Sequence, residues 1–333
     1  GSHAPSDART TIAGLAVAAP VFVAIAFGSA VLGLLAAGIA LTASLLSPMT
    51  GLIALATVAP FPRPLIVPTP GLYVAMLGAI LLGLVLRLPI ERPRLRLPTP
   101  EVVLVVVFMV WVAAQFATGV LDGPPTARSS AIASSFSVFT TGAMSFFLAM
   151  LLLRGRSPNP LLVALLVSAV ATSIIALTQS IGAEGLFVGL EGRSDLVART
   201  AVDRVTGPFL DPNYFGAYLA TATVLALGMA VLAKSRGIRF VLIAASGLIG
   251  TAMLLTLSRG AIVAFAAAFI TMAFTRGVRI GVLVTAGMLL VAVIAWPLFA
   301  DVRYAANPDL AAGGLSSQLE NSDRTVAWLA GLE

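Results

Sequence analysis

Apolar runs of about 17 residues or more recur from near the N-terminus to Pro297, with polar residues confined to the gaps between them. No other feature restricts the fold so severely. In hydrocarbon every backbone N–H and C=O must find a partner within the protein, so only helices or closed barrels suffice. The runs are continuous rather than alternating, which selects helices over barrel strands. Composition agrees: 59% of the 333 residues are hydrophobic, 10% are charged, and mean hydropathy is +1.03. So few charges would not cover the surface of a soluble domain. The expected fold is all-α, a polytopic transmembrane helical bundle.

About eleven spans are expected, at roughly 12–27, 29–47, 51–60 (short), 71–87, 101–119, 131–153, 160–182, 213–233, 238–257, 260–275 and 279–298. The stretch 12–47 reads either as two short helices or as one long bent one. The proline-rich segment from Pro60 to Pro70 must interrupt the helical pattern. Residues 1–10 form a tail that begins with Gly1-Ser2-His3, which reads as an expression scar. Residues 11–298 then form the bundle, and 299–333 begin a large polar loop.

Basic residues set the orientation. Arg87, Arg92, Arg94 and Arg96 cluster in one loop, Arg154 and Arg156 in another, then Lys234, Arg236 and Arg239, then Arg276 and Arg279. These loops are short and nearly free of acid. The alternate segments are mixed and mostly longer, and 120–130, 183–212 and 299–333 are the sizeable ones. The basic loops are therefore expected in the cytoplasm and the mixed loops outside, where the chemistry should lie. Topology explains the net charge of +6, and no nucleic-acid partner is expected. The chain has no cysteine, and its single histidine is His3, so disulfide and thiolate-metal chemistry are excluded.

Outward arginines are not needed for topology, and three of them draw attention; Arg128, Arg193, Arg199 and Arg303 sit in polar loops and stand out less. Arg204 precedes "GPFLDPNYFGAYLA". There Asp211 suits a helix N-cap, Pro212 the first helical position, and Asn213 and Tyr214 follow. A helix N-terminus suits an anionic oxygen, and Gly207 and Gly216 permit close approach. The blander reading is a capped helix with Arg204 paired to Asp203 or to headgroups. Arg259 sits in "LLTLSRGAIVAF", with no acid within ten residues. A charge at such depth costs at least about 2.5 kcal/mol, so it faces a wet cavity, a partner, or the interface by snorkelling. Ser258 and Gly260 beside it mark a helix break. Arg324 lies in "NSDRTVAWLAGLE", where Ser322 or Asp323 could cap a short interfacial helix bearing Trp328.

These motifs, in this order, resemble the O-antigen ligase and O-antigen polymerase superfamily. The likeness covers about residues 200–333 by motif and the earlier spans by hydropathy alone. It implies a GT-C-like membrane glycosyltransferase with about 12 or more spans when complete. Such an enzyme works on the outer face of the bacterial cytoplasmic (inner) membrane without a metal or other cofactor. It takes a glycan from undecaprenyl diphosphate and passes it, with inversion, to a glycan, lipid or protein acceptor. Arg204 and Arg259 match the arginines thought to engage the donor diphosphate. Arg324, Asp211, Asn213, Gly207 and Tyr214 would then contribute to substrate binding. The resemblance also implies a histidine in a late outer loop. None is present here apart from His3, and the expectation is that the natural chain continues past Glu333.

Two rival classes remain. A secondary transporter or flippase for an anionic or lipid-linked substrate also suits an embedded arginine beside a broken helix. A non-catalytic assembly subunit would use helix faces such as Gly33, Ala37 and Gly38.

Overall fold

The computed structural model describes residues 4–27, 30–61, 69–91, 145, 147–153, 156–182, 204–209 and 212–290. Every regular element among them is helical, so the all-α expectation holds for the described residues. The chain divides into two compact units, Gly1–Glu191 and Gly192–Glu333.

The first unit contains α1 (Ala4–Phe27), α2 (Ala30–Leu46), α3 (Pro48–Val58), α4 (Thr69–Glu91) and α5 (Asn159–Ser180). The stretch 12–47 is two helices folded against each other, not one bent helix. Only Ser47 separates α2 from α3, and Pro48 opens α3 at a position where its missing N–H costs nothing. The expected interruption near Pro60 is present, because α3 ends at Val58 and residues 59–61 are not helical.

α3 has 11 residues, about 17 Å of helix, roughly half the hydrocarbon thickness. Nearly all of its side chains are buried, and α1, α2, α4 and α5 all pack on it. Ile53 and Ala54 are fully enclosed. Backbone crossings are close: a Cβ on Gly14 would collide with Ile53, and one on Gly83 with the Leu45 carbonyl. Polar groups at this depth stay satisfied. Ser168 Oγ on α5 donates to the Thr57 carbonyl at 2.8 Å, and Thr57 Oγ1 donates back to the Ile53 carbonyl at 2.8 Å. The guanidinium of Arg87 donates to the carbonyl of Leu46, closing the C-terminal end of α2. On the small-residue face of α2, Gly33 is buried but Gly38 meets no neighbouring atom within 4 Å.

The second unit contains α6 (Pro212–Leu232), α7 (Arg236–Leu255), α8 (Arg259–Phe274) and α9 (Val278–Leu290). α6 and α8 run parallel: Gly216 abuts Ala261 at one end, and Gly228 approaches Met272 at the other. α7 returns antiparallel between those ends, with Ser246 Oγ donating to the Thr223 carbonyl at 3.4 Å. Two kinds of basic residue are thereby separated. Arg204 and Arg259 mark one end of the helices. Lys234, Arg236, Arg239, Arg276 and Arg279 mark the other.

Four described helices are long and apolar enough to cross a membrane: the Asp7–Ala24 part of α1, then α5, α6 and α7. That is fewer than the eleven spans expected. α2 and α8 have 17 and 16 residues, at or below the minimum for an untilted span, and α3 is shorter still. The apolar part of α4 is Val74–Arg87, and that of α9 is Val278–Leu290. The expected span 101–119, most of 131–153 and the end of 279–298 lie outside the described residues.

Candidate functional site

At the junction of α7 and α8 the helical path breaks for local reasons. Thr256 caps the C-terminus of α7. The next residue, Leu257, takes φ = 51°, the left-handed conformation that commonly ends a helix and that glycine usually supplies. A leucine there holds the turn against a backbone cost of about 1–2 kcal/mol. Ser258 then starts α8 as its N-cap, its Oγ accepting from the Ala261 amide at 3.3 Å. Thr256 Oγ1 accepts from the Ser258 amide at 3.3 Å and donates to the Met253 carbonyl at 2.7 Å. Both hydroxyl residues are buried.

The turn leaves carbonyls of α7 without intrahelical partners. The segment 204–209 answers them. The Val205 amide donates to the Leu255 carbonyl at 3.4 Å, and Arg204 Nε donates to the Thr256 carbonyl at 2.9 Å. Arg204 Nη2 donates to Asn213 Oδ1, in the first turn of α6, at 3.0 Å. One guanidinium therefore ties the end of α7 to the start of α6. Both of these acceptors, a backbone carbonyl and a side-chain amide, are neutral, so neither cancels the positive charge.

Two glycines make this closeness possible. Gly216 faces the turn at a distance where a Cβ would lie 2.8 Å from Thr256 Oγ1 and 2.9 Å from both Ser258 Cβ and Ala261 Cβ. Gly207 has φ = 56°, and a Cβ there would strike the ring of Phe215. Phe209 packs on Phe215 and Tyr218, with ring centroids 5.2 and 5.5 Å apart, which fixes the far end of the segment.

The N-termini of α6 and α8 consequently lie at the same end of the unit. Each carries roughly half a positive charge from its unpaired amides, and the C-terminus of α7 carries about the opposite. Arg204 is half-buried, and Arg259, the first residue of α8, is exposed. Arg204, Arg259 and the two helix starts contribute positive charge there, and the end of α7 contributes negative. Guanidinium forks pair geometrically with phosphate oxygens, so an anionic ligand suits these groups.

Of the sequence-expected site residues, Arg204, Gly207, Asn213 and Arg259 gather at this junction. Tyr214, in the same first turn of α6, is 74% exposed. Pro212 opens α6 as expected. Asp211, Asp203 and Arg324 lie outside the described residues. Thr256 was not singled out from sequence, yet its carbonyl accepts from Arg204 Nε. The only local hint was that Thr256 ends a 20-residue apolar helix just before Ser258-Arg259-Gly260. Searches against protein-family models, curated proteins and solved structures return no match for this chain.

Proposed function

We propose that the chain is a membrane glycosyltransferase of the O-antigen ligase or polymerase kind, with a GT-C-like helical fold. It would work at the outer face of the bacterial cytoplasmic membrane. Its donor is a glycan on undecaprenyl diphosphate, and its acceptor is a hydroxyl of a glycan, lipid or protein. The observation that supports this reading is the anchoring of Arg204 on Thr256, three residues before Arg259, where the starts of α6 and α8 converge.

In the proposed reaction the acceptor oxygen attacks the anomeric carbon of the donor sugar. The bond from that carbon to the diphosphate oxygen breaks, and its electron pair leaves with the lipid diphosphate. The acceptor hydroxyl loses its proton to a base. A single displacement inverts the anomeric configuration. Negative charge grows on the leaving diphosphate, where Arg204, Arg259 and the amides at the helix starts stabilise it more than they stabilise the ground state. Because Arg204 is already held by Thr256 and Asn213, little reorganisation is needed as the charge develops.

A transfer assay with a polyprenyl-diphosphate glycan tests the reading. New glycosidic product from the wild type, lost in Arg204→Ala and Arg259→Ala and unaffected by EDTA, is the expected result. Movement of labelled donor across the membrane without any new glycosidic bond would instead establish a transporter.

A further inference from the structure

The opposite end of the second unit has a different character. Lys234, Arg236 and Arg239 lie between α6 and the first turn of α7, and Arg276 and Arg279 lie between α8 and the first turn of α9. The parallel packing of α6 and α8 carries both turns to the same end. From the Gly228–Met272 approach, Arg276 is about 6 Å further along the axis of α8. All five side chains are exposed. No Asp or Glu occurs anywhere in residues 212–290, so no acid from α6, α7, α8 or α9 neutralises them. Arg239 also serves the fold, because its Nη2 donates to the Ala233 carbonyl at 2.8 Å and closes the C-terminus of α6.

Large apolar side chains stand beside these charges and are exposed too. Phe240 is 73% exposed on α7, and Val278 is 72% exposed on α9. Bare hydrophobic groups interleaved with cations that these helices leave without acids fit one kind of surface, an apolar layer edged by anions. Water alone does not suit the first, and hydrocarbon alone does not suit the second.

We propose that this end is a docking surface for anionic phospholipid headgroups, with Lys234, Arg236, Arg276 and Arg279 contacting the phosphates and Phe240 and Val278 the acyl region. The surface goes beyond orientation by basic loops, because it implies selection among lipids by headgroup charge. It is independent of the glycosyltransferase reading and stands or falls separately.

Native mass spectrometry of the full chain tests it, from micelles carrying equal phosphatidylglycerol and phosphatidylcholine. The wild type is expected to retain phosphatidylglycerol over phosphatidylcholine by about tenfold or more, declining as sodium chloride rises. A variant with Lys234→Gln, Arg236→Gln, Arg276→Gln and Arg279→Gln should fall to near parity, Arg239 being kept for its hydrogen bond. The variant with Arg236→Lys, Arg276→Lys and Arg279→Lys should keep the preference. Equal retention of both lipids by the wild type, indifference to salt, or an undiminished preference in the glutamine variant would each overturn the proposal. The wild-type preference and its salt dependence decide the matter even if the glutamine variant does not fold.

Discussion

Arg204 Nη2 donates to Asn213 Oδ1 at 3.0 Å, across nine residues of chain that contain a tight turn and the start of α6. With the same guanidinium bonded through Nε to the Thr256 carbonyl, the side chain is fixed at two points before any ligand arrives. Asn213 is thus a positioning residue for Arg204, and the two substitutions that probe it should behave differently.

Asn213→Ala removes the acceptor. A hydrogen bond to a charged group contributes about 1.5–3 kcal/mol, and this one is half-buried, so thermal stability should fall by an amount near the lower figure. Asn213→Asp keeps the acceptor and should keep stability. It also neutralises the guanidinium, so affinity for a diphosphate should drop about tenfold or more. Parallel melting curves and diphosphate titrations of both variants separate holding from charge.

Gly216 is where α6 meets the α7–α8 turn. A methyl group there would sit 2.8–2.9 Å from three neighbours, so Gly216→Ala should destabilise by about 1–3 kcal/mol and loosen the Ser258–Arg259 turn. Gly247, mid-helix on α7, meets nothing within 4 Å. Gly247→Ala should be neutral or stabilise by up to about 1 kcal/mol through helix propensity. Comparing the unfolding midpoints of the two checks that closeness, and not helical glycine in general, is what matters.

Ser258 opens α8 by accepting from the Ala261 amide. Ser258→Ala should cost about 1 kcal/mol, while Ser258→Asn should largely restore it. Hydrogen exchange at the Ala261 amide is the direct measure, with faster exchange expected in Ser258→Ala alone.

These residues also mark how far the sequence could be read. Helices were legible because hydrocarbon leaves the backbone no alternative, and Pro60 and Pro212 punctuated them near helix ends. The break before Arg259 was legible from Ser258 and Gly260. Which of the expected spans are long enough was less so, since α2, α3 and α8 are short helices and α3 is buried by its neighbours on nearly every side. The Thr256 partner of Arg204 was not legible at all. Local spacing offered Asp203, which lies outside the described residues, and gave no sign of the carbonyl 52 residues away that accepts from Nε. A backbone acceptor has no side-chain signature, and the left-handed φ of Leu257, which helps to present that carbonyl, has none either when the residue is not glycine. The convergence of two helix starts likewise depends on the Gly216 contact, a tertiary fact that periodicity does not carry.

The central claim is that Arg204 and Arg259 together grip a lipid-borne diphosphate. Its most direct test is the equilibrium affinity of a short-chain polyprenyl diphosphate for the chain in nanodiscs, measured for the wild type, Arg204→Ala, Arg259→Ala and the double variant. Each single substitution should weaken binding about tenfold or more, and the double variant should be non-additive, as expected for two forks on one ligand. Wild-type affinity in both single variants, with helix content unchanged, would contradict the account.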